Sequence, residues 1–395
     1  MMVLAGADIV LLDRVLSGES LVIDNGLIES IDRHPRTFPQ GQYIDLSGHF
    51  IVPGFIDVHV HGIEGIDVLD GPGAVADVAA RLPKFGVTAF CPTSVACGPQ
   101  KLRTFLTAVE QADQRSPRSA RVLPAHLESN FISPEWNGAQ PAACLRTPGS
   151  VRASGGSSEG DFSGSDILNV IREHRRSVGI ITLAPELPGG LDLVRELVAA
   201  GYRVSLGHTG ATYEEARAAI DAGARHATHL FNRMSSMSAR SPGVVGAVLE
   251  SNAVTAELIC DGHHVHPALV ALAIRTKSVS RVIAITDGTA VAGLPVGSHA
   301  RLGDQTIVAG EHTALLEDGT LAGSLLTMDG AFRMLVGLGL TLPEAARMCA
   351  STPAEALQLN AAGAISAGNR ADFVVMDRQF RVKQTYIGGV PALEP

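Results

Sequence analysis

The stretch PGFIDVHVHG, residues 53–62, closes an apolar run on two histidines one residue apart. Alternation along a strand sends residues i and i+2 to one face, so His59 and His61 present both imidazoles in the same direction. A strand end of this kind offers two ligands to one metal site. Outward from it, apolar runs recur at fairly regular intervals: VTAFCPTSV, VLPAHLES, GIITLAPEL, RVSLGHTGA, ATHLFN, TAELICDG and VIAITDGT, which with the first make eight candidate strands. Intervening segments such as TYEEARAAIDAGA and HPALVALAIRTKS have helical spacing and acceptable caps. The alternation predicts an α/β fold of the (β/α)8, TIM-barrel kind. A doubly wound open sheet would carry a glycine-rich phosphate turn after its first strand, and none is found.

The two chain ends read differently. ADIVLL is followed by SLVIDNGLIESI, where Asn25-Gly26 between apolar alternations marks a tight hairpin. Near the other end, ADFVVMDRQFRVKQTYIGG holds short β-type runs separated by polar residues. Residues 1–52 together with 356–395 are therefore expected to form one small β-sandwich domain, with 53–355 as the catalytic barrel. Within the barrel, residues 146–166 are dense in Gly and Ser with almost no apolar periodicity, and are expected to be a loop between the third and fourth strands.

Composition narrows the function. A chain of 395 residues with 46% hydrophobic residues, 42 glycines and only 4% aromatics suits close-packed α/β layers. A net charge of −9 argues against a general nucleic-acid binder, which needs an excess of Lys and Arg. Any anionic ligand is then small and met locally. The start, MMVLAGADIVLLDRV, has no basic n-region and carries Asp8 inside its apolar run, and no stretch is long enough to span a membrane. A cytoplasmic protein is expected. Its five cysteines, Cys91, Cys97, Cys144, Cys260 and Cys349, lack CxxC spacing and read as small hydrophobes.

At the strand ends stand His59 and His61 on the first run, Glu128 on the third, His208 on the fifth, His229 on the sixth and Asp287 on the eighth. All barrel strand ends of one sense converge on one face, so four imidazoles and two carboxylates would meet there as ligands for one or two divalent metals. His126, two residues before Glu128, and His226, three before His229, read as supporting or core residues.

The motifs PGFIDVHVHG, GVTAFCPTS, GHTGATYEEA, HATHLFNRM, RSPGVVGA, ELICDGHHVHP, ITDGT, DGTLAGSLLTM and TPAEAL with GAISAGNRADFVVMD resemble, in order, those of N-acetylglucosamine-6-phosphate deacetylases of the amidohydrolase superfamily. The resemblance runs from about residue 51 to 377. Relatives of the dihydroorotase kind use a carboxylated lysine from a middle strand, whereas the only lysines here, Lys84, Lys101, Lys277 and Lys383, end no predicted strand. The resemblance implies that Glu128, His208 and His229 hold one metal and that His59 and His61 hold a second. Nitrogen and carboxylate ligands without thiolate suit Zn²⁺, with Fe²⁺, Mn²⁺ or Co²⁺ as alternatives. It further implies that Asp287 takes the proton of the attacking water and returns it to the departing amine.

For the substrate, the same resemblance places Arg240 and His264 on the sugar phosphate, with the arginine able to come from a neighbouring subunit of a homodimer. Ala139, Gln140, Asn232, Arg233, Leu321, Ala322 and Gly323 would line the sugar. The chain departs from the common pattern in ESNF (Glu128–Phe131) where EGPF is usual, in Gln140 where a histidine is common, and in FNRM, which adds Arg233. These departures leave open another N-acetyl amino sugar such as N-acetylgalactosamine 6-phosphate, or an N-acyl amino acid. A non-catalytic barrel scaffold is the reading of a different class, and it typically loses the metal ligands that this chain keeps.

Overall fold

Strongly apolar runs with both faces covered favour parallel strands, and the eight runs behave accordingly. The computed structural model describes residues 1–33, 41–112, 117–149 and 161–393. In chain order its barrel strands are Phe55–Val60, Val87–Ser94, Ala125–Glu128, Val178–Leu183, Arg203–Leu206, His226–Ala227, Thr255–Ile259 and Val282–Ile285. Each pairs in parallel with the next. The eighth returns to the first through a parallel bridge between Val60 and Gly288. There the N–H of Asp287 donates to the carbonyl of His59 at 2.9 Å, and that of His61 to the carbonyl of Gly288 at 2.8 Å. The seam that closes the barrel thus brings the two-histidine strand and the aspartate loop together.

A helix follows each strand: Ala74–Arg81, Pro99–Ala112, Gly164–Glu173, Gly190–Ala199, Tyr213–Asp221, Gly243–Glu250, Pro267–Lys277 and Met328–Gly337. Two starts are visible in the sequence. Thr212 and Glu215 form a reciprocal capping box at Tyr213–Asp221. At Pro267–Lys277, Pro267 opens the first turn and the His266 ring accepts from the Ala268 N–H. Apolar faces of these helices and of the strands merge into one large core.

Both chain ends contribute to two further sheets, one of Met2–Ala5, Ser20–Asp24, Leu27–Asp32 and Gln42–Asp45, the other built around Asp8–Val10, Phe50–Pro53, Phe373–Met376 and Val382–Ile387. Leu4, Ile9, Leu21, Ile51, Phe373 and Tyr386 pack between them. The Asn25-Gly26 hairpin forms as expected, with φ of +48° and +79°, the left-handed pair that a two-residue type I′ turn requires.

Two local expectations are corrected, and one sheet was not anticipated. Of the sixth run, ATHLFN, only Ala227 lies in a strand, His226–Ala227, because His229, Phe231 and Arg233 take φ of +28°, +80° and +49° and turn the chain into the barrel mouth. Residues 164–166 of the expected loop are instead the first turn of Gly164–Glu173, whose start Ser163 and Asp166 cap reciprocally; residues 150–160 of that loop lie outside the described residues. An antiparallel sheet of His299–Leu302, Gln305–Ala309, Thr313–Leu316 and Leu321–Ser324 is inserted after the eighth strand. Its alternation and its Gly303-Asp304 and Asp318-Gly319 turns were legible signals.

Candidate metal centre

Glu128 ends the third strand, and its Oε1 lies 2.8 Å from Nε2 of both His208 and His229, whose Nε2 atoms are 3.1 Å apart. The other carboxylate oxygen is 3.6 Å from His61 Nε2. His59 and His61 bring their Nε2 atoms to 3.2 Å of each other. Asp287 Oδ1 stands 3.3 and 3.2 Å from those two nitrogens. All six expected residues therefore meet, and all are buried.

Second partners fix which ring nitrogen faces inward. His61 Nδ1 is 3.0 Å from the carbonyl of Thr93, His208 Nδ1 is 2.8 Å from that of Trp136, and His59 Nδ1 is 3.0 Å from a carboxylate oxygen of Glu257. Carbonyls and carboxylates only accept, so each Nδ1 carries a proton and Nε2 is the nitrogen left facing the cluster. Nitrogens and carboxylate oxygens crowded to about 3 Å of one another need positive charge among them, either protons on Nε2 or a metal ion in their place. Burial alone would lower the pKa of His59, but Asp287, Glu257 and Glu128 push it up to about 10. Burial would likewise raise Glu128, yet His208 and His229 hold it well below the ordinary carboxylate range. Asp287 is also held low, burial being outweighed by His59 and His61. The carboxylates thus call for buried positive charge, and the donor set fits one or two divalent ions.

The cluster opens into a small cleft at the barrel mouth. Ala139, Gln140, Asn232, Arg233, His264, Leu321 and Gly323 line it, seven of the nine residues expected around the sugar. Ala322 is wholly buried instead, between two neighbours that reach the cleft. Arg240 is exposed and does not line the cleft of its own chain. Gln140 turns its amide NH₂ onto Glu128 while its oxygen accepts from the Ala96 N–H at 2.7 Å, so it braces a candidate metal ligand as well as lining the wall. His264 Nδ1 is 2.6 Å from Asp261, which leaves its buried Nε2 without a partner at the cleft. Gly138 (φ +59°) lets Arg233 lie against the wall, since a Cβ there would stand 2.8 Å from the Arg233 Nε.

Beneath the cluster runs a buried polar belt that contains His126 and His226, expected as supporting or core residues, together with Thr182, Ser205, Thr228 and Glu257, to which the sequence reading gave no role. His126 bridges the carbonyl of Val58 and the hydroxyl of Thr182; Thr182 and Ser205 both meet Thr228; His226 Nε2 lies 2.8 Å from Glu257. Burial lowers His126 to about 3, so it stays neutral. Glu257 had one signal in the sequence, a carboxylate in the middle of the otherwise apolar TAELI. Among the described residues no helix is long and apolar enough to cross a membrane, and all five cysteines are free.

A profile of the amidohydrolase family matches residues 50–391. An N-acetylgalactosamine-6-phosphate deacetylase of Escherichia coli O157:H7 is 33% identical over 95% of this chain and 94% of its own length. An N-acetylglucosamine-6-phosphate deacetylase of Lysinibacillus sphaericus is 35% identical over 92% and 91%. Among solved structures, a Mycobacterium smegmatis N-acetyl-D-glucosamine-6-phosphate deacetylase mutant in complex with N-acetyl-D-glucosamine-6-phosphate superposes with a TM-score of 0.88 at 30% identity, covering 100% of this chain and 99% of that one. Together with the barrel and its histidine–carboxylate cluster, these matches show that the chain belongs to the amidohydrolase family.

Proposed function

We propose that this chain is a metal-dependent deacetylase that hydrolyses the acetamide of N-acetylglucosamine 6-phosphate to acetate and glucosamine 6-phosphate. The observation that carries this reading is Asp287 Oδ1 within 3.3 Å of both histidines of the HxH pair, at the floor of a cleft walled by Asn232, Arg233 and His264. Relatives of that activity matching nearly the full chain support the choice of substrate class.

His59 and His61 would hold one ion, and Glu128, His208 and His229 another, Zn²⁺ being the best match to these donors. A bound ion of this kind polarises the amide carbonyl and acidifies the attacking water. Asp287, held as carboxylate, accepts the water's proton at Oδ1 and delivers it to the amide nitrogen, which leaves as a neutral amine only once protonated. His264 Nε2 and Arg233 are free to meet anionic or hydroxyl oxygens of the sugar phosphate, and Gly323 and Leu321 shape the wall beside Asp287. Arg240 would reach a phosphate only from the other subunit of a homodimer. We place the enzyme in the cytoplasm, where free cysteines persist.

The relative named for N-acetylgalactosamine 6-phosphate makes the C4 epimer a second candidate. Acetate release by the metal-quantified protein should be compared for N-acetylglucosamine 6-phosphate, N-acetylgalactosamine 6-phosphate and unphosphorylated N-acetylglucosamine. Preference for the first supports the proposal, preference for the second transfers the activity to the epimer, and no release from any of them by metal-loaded protein refutes an amino-sugar substrate.

A further inference from the structure

Glu257 lies wholly buried in the seventh barrel strand and reaches both halves of the metal cluster. Oε2 lies 3.0 Å from His59 Nδ1 and accepts from the backbone N–H of His229 at 3.2 Å, while Oε1 lies 2.8 Å from His226 Nε2. Glu257 does not line the cleft, and its carboxylate oxygens are taken up by these three N–H groups. Among the HxH ligands the contrast is sharp: His61 leans on the neutral carbonyl of Thr93, and only His59 leans on a carboxylate. A charge-assisted hydrogen bond is the stronger kind, and it leaves the opposite nitrogen the better electron-pair donor. His229 has a further need of support, because its backbone is held at φ +28°, outside the ordinary regions for a residue with a side chain.

We propose that Glu257 is the positioning residue of the metal centre, fixing His59 so that Nε2 faces the ions and tying the His229 backbone to the same carboxylate. The inference rests on the metal-site reading above, though not on the identity of the sugar. Glu257 accepts three N–H groups. A glutamine keeps only one acceptor oxygen and adds a donor, so at least one of these contacts must reorganise.

The test uses Co²⁺ titration of the metal-free protein, followed by visible absorption with a competing chelator. Glu257→Gln is expected to weaken binding of at least one ion by about 10–100-fold, whereas His226→Gln, which removes a different partner of Glu257, should stay within about threefold of the parent. A merely structural role would instead lower the unfolding midpoint of both metal-free variants and leave Co²⁺ affinity alone; that result overturns the proposal. Should Glu257→Gln fail to fold, ¹⁵N-histidine NMR of the zinc-loaded parent decides. A His59 proton on Nδ1, with the downfield shift of a hydrogen bond to carboxylate, supports the assignment, and any other tautomer refutes it. If the parent itself binds no Co²⁺, the metal reading and this inference both fall; if the parent binds and Glu257→Gln binds equally well, only the role of Glu257 does.

Discussion

Asp287 is held at φ +49°, with its N–H on the His59 carbonyl and its own carbonyl accepting from Ser324, so its carboxylate is aimed by backbone on two sides. Removing the charge should abolish proton transfer without displacing the ligands. Asp287→Asn is expected to lower kcat by roughly 10²–10⁴-fold at unchanged metal content, and an unchanged kcat would exclude it as the base. Gln140 was expected at the sugar and lines the cleft, but its partner Glu128 came only from the fold. Replacing it by Leu strands the Ala96 N–H and one oxygen of Glu128, which should cost about 1–3 kcal/mol in urea unfolding. Asp67 gives a pH signature. Burial pushes its carboxyl from 3.8 up to about 6, against the favourable N–H groups of Leu69 and Gly303. Between those values the folded chain holds a proton that the unfolded chain has released. The stability it contributes is therefore present below pH 3.8 and is lost as pH rises through about 6, a difference of about 3 kcal/mol. Burial pushes Asp57 up to about 6 as well, so denaturant curves from pH 4 to 7 should show this loss in the parent and a smaller one, by the share of Asp67, in Asp67→Asn.

At the scale of the element, the strands can serve as a metal scaffold because their ends, not their middles, carry the candidate ligands. Glu128 closes the third strand, while His208, His229 and Asp287 each stand two residues beyond the end of theirs. All three of the latter adopt positive φ, a cost of order 1–3 kcal/mol each that the surrounding structure sustains. Helices, by contrast, add local stabilisation at their caps to the packing of their apolar faces. Thr212→Ala removes the cap of Tyr213–Asp221 and should cost about 1 kcal/mol with kcat unaffected, since the helix lies behind the barrel wall rather than in the cleft. A fall in kcat equal to that of a metal-ligand variant would show that this helix is coupled to the site.

Across the whole molecule, the cluster joins side chains from five of the eight barrel strands or the loops after them. A ligand that binds only the folded state stabilises it by mass action, about 4 kcal/mol at a free concentration a thousandfold above Kd. Chelation should therefore lower the thermal midpoint of the entire barrel, and re-added Zn²⁺ should restore it. A midpoint indifferent to chelator in protein shown to have lost its metal would mean that the cluster is held by the barrel alone.

The sequence by itself determined the periodicities: eight apolar runs, the helices between them, the Asn25-Gly26 hairpin, and the placing of His59, His61, Glu128, His208, His229 and Asp287 at run ends. These are local properties, because strand alternation, capping and turn conformation depend on residues a few positions apart. What the tertiary structure alone decided is which distant groups share a volume. Glu257 lies 198 residues from the His59 ring it bonds, Gln140 bonds Glu128 as well as lining the cleft, and Arg240 stands outside the cleft of its own chain. No run length or spacing encodes such pairings. They follow from the closure of the barrel between its first and eighth strands, where burial leaves each carboxylate and imidazole only the partners that the opposite strands supply.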